Sequence, residues 1–108
     1  MTGAGLQILI SLADDKKHGY AIMREISTRT NGRINLYPGT LYANIKRLLE
    51  SGLLEELEEA AASDSDDERR RYYRLTPKGR KSALREIARL EAIVQSARRA
   101  GLVLKGQR

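Results

Sequence analysis

The chain has 108 residues, with 20 Lys or Arg against 14 Asp or Glu, one histidine and no cysteine. That length fits one domain with a modest core. Without cysteine there are no disulfides, thiolate metal sites or cysteine nucleophiles, and one histidine cannot build a multi-histidine centre, so neither metal nor cofactor is expected.

No apolar run approaches the roughly 20 residues a membrane span needs. The first five residues lack the basic start of a signal peptide, so a cytoplasmic protein with no membrane partner is expected. The net charge of +6 and pI of about 9.9 point to polyanion partners. The charge is also segregated. Residues 48–68 hold nine acids and no Lys or Arg, so every base lies outside that stretch. Such segregation implies separate surfaces, or an acidic loop that aids solubility.

Residues 5–13 read as a first helix. Leu6, Leu9, Ile10 and Ala13 form one apolar stripe, and Ile8 and Leu12 add a second. A helix apolar nearly all round predicts burial on two sides, against its own core and against another chain. Leu6, Ile8, Leu9 and Leu12 are therefore candidate dimer residues. Residues 14–17 form a polar turn.

Residues 18–30 read as a second helix, with Gly19, Ile22, Met23, Ile26 and Thr30 in register. His18 sits near its start, where it can hydrogen-bond backbone or phosphate. Asn31-Gly32 signals a turn.

The third helix has Pro38 at its first position and Gly52 just past its end. Leu41, Ile45, Leu48 and Leu49 make one apolar stripe. Opposite lie Gly39, Thr40, Ala43, Lys46 and Arg47, small at first and then basic, with no acid before Glu50. Small residues allow close approach to a DNA groove and cations meet phosphate. The alternative is an ordinary solvated polar face.

Residues 53–59 and 69–75 read as two antiparallel strands, the second with the better alternation. The low-complexity stretch 60–67 between them reads as a mobile acidic tip. Thr76-Pro77 is a strong helix start, and the last helix is expected to run to about residue 100. Ile87, Leu90, Val94 and Ala97 alternate three and four apart, and Leu84 and Ala88 widen the stripe. With little core left to cover, this seam predicts a partner chain; folding back on its own core is the alternative. Helix, helix, helix, strand, strand, helix is the winged-helix order. The expected fold is mainly α (α+β): a winged helix-turn-helix over residues 1–76, then a C-terminal dimerisation helix and tail over residues 77–108.

Several fragments resemble the PadR family of bacterial transcriptional regulators. They are His18-Gly19-Tyr20, Leu36-Tyr37-Pro38-Gly39-Thr40-Leu41-Tyr42, Leu48-Leu49-Glu50-Ser51-Gly52-Leu53, and Arg70-Arg71-Tyr72-Tyr73-Arg74-Leu75-Thr76-Pro77-Lys78-Gly79. Their order and spacing match over roughly residues 6–90. The short C-terminal region is similar to the smaller subgroup with one dimerisation helix. The resemblance implies a homodimeric repressor in the bacterial cytoplasm, associated with the nucleoid. It would bind double-stranded DNA at an inverted-repeat operator and be released by a small-molecule effector or another signal. It also implies that Tyr37, Pro38, Thr40 and Tyr42 lie at the DNA-facing start of the recognition helix, with His18, Gly19 and Tyr20 at the start of the supporting helix.

For DNA binding, the candidate phosphate contacts are Lys46, Arg47, Arg69, Arg70 and Arg71. Arg47 and Asn44 are the candidates for base edges, and Thr40 and Ala43 for thymine methyls. The competing reading is a winged-helix module that docks protein through its acidic stretch. No nucleophile–base set, paired carboxylates in an apolar setting or phosphate-binding glycine loop is present, so an enzyme is not expected.

Overall fold

The computed structural model describes residues 1–60 and 69–102, with the side chains of residues 59, 60, 69 and 70 left aside. The expected acidic tip lies almost wholly outside the described residues. The elements are α1 (Gly3–Ser11), β1 (Lys17–His18), α2 (Gly19–Arg29), α3 (Pro38–Glu50), β2 (Leu54–Ala60), β3 (Arg69–Leu75) and α4 (Pro77–Arg99). This is a winged helix with a long final helix.

Caps set most of the helix starts. The Thr2 hydroxyl accepts from the Gly5 N–H at 2.9 Å, so α1 begins two residues before the expected start at residue 5. His18 Nδ1 accepts from the Ala21 N–H at 3.2 Å and starts α2. The Thr76 hydroxyl accepts from the Gly79 N–H at 2.9 Å and starts α4. The start of α3 is different: Pro38 opens it and no side chain caps it. Its far end closes on Gly52, at φ +77°, with Leu53 N–H donating to the Leu48 carbonyl at 2.9 Å. That pairing satisfies carbonyls the helix would otherwise leave open.

The three strands run antiparallel in the order β1-β3-β2. β1 is not expected from the sequence. It turns the end of the 14–17 segment into a short third strand on Tyr72 and Tyr73. In the wing, Glu55 stands opposite Arg74, Glu58 opposite Arg71 and Glu59 opposite Arg70.

The core joins Ile22 and Ile26 of α2, Leu41, Ile45 and Leu48 of α3, Leu54 and Tyr73 of the wing, and α1. Each such aliphatic side chain stabilises the fold by about 1.5–3 kcal/mol. Here one expectation is corrected. Ile8, Leu9 and Leu12 are buried within this chain, and Leu6 lies at the edge of the same core. In so small a domain α1 is the central helix, with α2, α3 and α4 all packed on it. The second stripe and most of the first are therefore used internally, with Ile10 half-buried and Ala13 exposed. Leu6, Gln7 and Ile10 also face a groove shared with α4.

α4 has the opposite character. Ala83 is buried, but Leu84, Ile87, Leu90 and Val94 are exposed, and so is Ile93, which the seam pattern omits. Ala97 is half-buried. The base of α4 is held firmly. The Thr76 hydroxyl donates to the Gly52 carbonyl at 2.7 Å, Lys78 Nζ donates to the Ser51 carbonyl at 2.9 Å, and Thr76 N–H donates to the Leu53 carbonyl at 3.1 Å. These bonds clasp the end of α3 to the start of α4.

Candidate nucleic-acid interface

Along α3, Leu41, Asn44, Ile45 and Leu48 point inward, which turns the opposite face outward. Tyr37, Pro38, Gly39, Thr40, Tyr42, Ala43, Lys46 and Arg47 are all exposed. None is acidic, and the only acid of the helix, Glu50, lies at its C-terminal end. The first two turns combine backbone N–H groups that no side chain caps with small residues at Gly39, Thr40 and Ala43. Such a surface admits an anion or a groove edge.

Asn44, expected to reach a base edge, is corrected by the structure. It is only 6% exposed. Its position three residues after Leu41 and four before Leu48 places it on the inner stripe. Its Nδ2 donates to the Thr40 carbonyl at 2.9 Å, and its Oδ1 accepts from Arg47 Nη2 and from the Thr2 hydroxyl, each at 3.2 Å. Gly19 is also buried, so it offers little surface to DNA. A β-carbon there would lie 2.8 Å from Tyr42 Cζ and closer still to its hydroxyl.

An open cleft of about 560 Å³ separates the start of α2 from the wing, lined by His18, Gly19, Tyr20, Tyr42, Arg71 and Tyr73. His18 packs edge-on against Tyr72, with ring centroids 5.5 Å apart. Its main visible work is the α2 cap. Burial pushes the Tyr73 phenol above its ordinary value, with a further push from Glu56 and Tyr42. Arg71 lies on the wing side of the cleft, Nε 3.6 Å from Glu56. The backbones of Arg69 and Arg70 belong to β3, but their side chains lie outside the described residues.

Arg24 is absent from the sequence-based candidates, yet it belongs with this surface. Its guanidinium lies 5.6 Å from the centre of the Tyr20 ring, and it lines a shallow groove with Tyr37 and Pro38. The i,i+4 spacing of Tyr20 and Arg24 on a solvent face is the signal that finds it.

Among the described residues, no group of three or more His, Cys, Asp or Glu is arranged to hold a metal ion, and no helix is long and apolar enough to cross a membrane.

The model of the PadR-like family of transcriptional regulators matches residues 8–85. An uncharacterized protein of Lysinibacillus sphaericus is 39% identical over 82 residues, which are 76% of this chain and 72% of that protein. A transcriptional regulator from Clostridium thermocellum superposes with a TM-score of 0.76 at 25% identity, covering 89% of this chain and 87% of the other. PadR from Bacillus subtilis, solved in complex with operator DNA, superposes with a TM-score of 0.67 at 17% identity over 77% of this chain and 45% of its own. With a winged helix, an outer face on α3 that carries no acid before Glu50 and a family match across most of its length, this chain belongs to the PadR-like family of transcriptional regulators, which are not enzymes.

Proposed function

We propose that the chain is a sequence-specific repressor that binds an inverted-repeat operator as a homodimer in the bacterial cytoplasm and leaves DNA in response to a small molecule or another signal. One observation carries the DNA reading: the exposed face of α3 has an uncapped first turn, small residues and two cations, and no acid until its last position. Lys46, Arg47, Arg24 and the wing arginines supply phosphate contacts. Thr40, Ala43 and Tyr42 face the groove. The cleft between Tyr20, Tyr42 and Arg71 takes the sugar–phosphate strand that borders it. The operator complex of the Bacillus subtilis relative supports the same use of the fold. The open stripe on α4 supports a dimer, with residues 77–108 as its arm.

Selecting bound fragments from genomic DNA tests the proposal. A recovered motif with two-fold symmetry is the expected result. Fragments with no common motif, together with salt-insensitive binding to random duplex, would favour a protein-docking module instead.

A further inference from the structure

Asn44 is a buried amide inside a helix whose other inward residues are Leu41, Ile45 and Leu48. A buried amide is tolerated only when its polar atoms find partners. Here the partners dictate its orientation. The nitrogen faces the Thr40 carbonyl and the oxygen faces two donors, Thr2 Oγ1 and Arg47 Nη2. Both acceptor positions of the oxygen are filled. The Thr2 hydroxyl is in turn the cap of α1, accepting from Gly5.

The Thr40 carbonyl and the Thr2 hydroxyl already engage both ends of a core amide. The contact to Arg47 is additional. Arg47 is exposed, and nothing in packing requires its guanidinium to lie against Asn44. A charge-assisted hydrogen bond holds one nitrogen of that planar fork, leaving its other donors for DNA. Fixing a long side chain before binding removes part of the entropy cost of fixing it at the interface.

We infer that Asn44 is a positioning residue: it anchors the guanidinium of Arg47 against the capped start of α1, so that Arg47 meets DNA in one preset place. The inference rests on the DNA reading above. It makes Asn44 a determinant of sequence choice without any contact to DNA.

The test compares the best selected duplex with a scrambled duplex of equal length at one salt concentration. Asn44→Leu removes the anchor. Asn44→Asp keeps oxygens for Arg47 and Thr2. The ratio of the two affinities is the readout, because lost stability or added charge weakens both duplexes together. Asn44→Leu is expected to lower the ratio about two- to tenfold. Asn44→Asp is expected to keep it near wild type. In an Arg47→Ala background, Asn44→Leu is expected to change the ratio no further. Thermal melts establish that each variant folds, and Asn44→Ala replaces the leucine variant should that one fail to fold. An unchanged ratio in the folded variant overturns the inference and leaves the DNA reading intact. So does an equal drop with and without Arg47. A wild-type chain that does not discriminate between the duplexes overturns the DNA reading, and this inference with it.

Discussion

The hydroxyl of Tyr42, on α3, occupies the space that a side chain on Gly19, at the start of α2, would need. The two helices of the helix-turn-helix therefore meet through a missing β-carbon. Tyr42 is 47% exposed, and the atoms such a β-carbon would meet lie at the far end of its side chain. Gly19→Ala should therefore cost stability less than about 1 kcal/mol. It should displace Tyr42 from the DNA-facing cleft and weaken operator binding by roughly 1 kcal/mol. In a Tyr42→Ala background the same substitution should have no further effect on affinity. Paired titrations of the four proteins check this, and additive losses would show that Gly19 acts independently of Tyr42.

Gly79 has a similar shape problem with a different neighbour. A β-carbon there would run into the backbone carbonyl of Leu53 and lie 2.8 Å from Leu75 Cδ1. A carbonyl in the clasp between α3 and α4 cannot swing aside. Gly79→Ala should cost about 1–3 kcal/mol or more. For a domain near this size, that is a drop of about 4–8 °C per kcal/mol in a thermal melt. A melt that stays within about 2 °C of wild type would contradict the packing described.

The open stripe on α4 should be a protein interface. Leu90 is 38% exposed and Ile93 53% exposed in the single chain. An aspartate at Leu90 would be tolerated in a monomer but would be unpaired and buried in a dimer. Leu90→Asp should yield folded monomer by light scattering at roughly micromolar concentration, where wild type should be dimeric. Monomeric wild type under the same conditions would remove the dimer from the proposal.

Glu56 should restrain the wing. It lies 3.6 Å from Arg71 Nε, and both side chains are exposed enough for the pair to add little stability. Glu56→Gln should leave the melt within about 0.5 kcal/mol of wild type. It should strengthen binding to operator and scrambled duplex alike, and steepen the salt dependence by about one phosphate contact per chain. Unchanged affinity would mean that Arg71 makes no phosphate contact.

Tyr73 predicts a loss of stability in alkali. Its folded value lies above the ordinary 10.0, chiefly through burial and then through Glu56 and Tyr42. The unfolded chain therefore releases the phenolic proton first as pH rises. The contribution of Tyr73 is intact below about pH 10 and declines as pH climbs toward the folded value. Urea melts between about pH 8 and pH 11 should show a steeper decline for wild type than for Tyr73→Phe. Parallel curves would show that Tyr73 titrates as it does in the unfolded chain.

The main outline is legible in the sequence because local chemistry sets it. Pro38 and Gly52 bracket α3, Thr76-Pro77 starts α4, and each feature does in the structure what its chemistry implies. The exposure of Lys46 and Arg47 follows from helical spacing opposite Leu41, Ile45 and Leu48. What is not legible depends on distant partners. β1 is two residues long and exists only through its pairing with Tyr72 and Tyr73. Asn44 looks like a surface residue when only apolar positions are counted, although its spacing puts it on the inner stripe, and one of the partners that satisfy its buried amide, Thr2, lies 42 residues earlier. The apolar girth of α1 implies two covered sides, but it does not say that both covers come from the same chain.

The clasp at Thr76 and Lys78 makes α3 and α4 a single mechanical piece. At 23 residues, α4 reaches about 34 Å from that joint. In the proposed dimer, a small change in the angle at which two such arms cross would swing the two copies of α3 through a larger distance, because the clasp gives little. The span between the two reading heads would then be set far from DNA, along the arms. A molecule wedged among Leu90, Ile93 and Val94 would detune it without touching the DNA-facing surface.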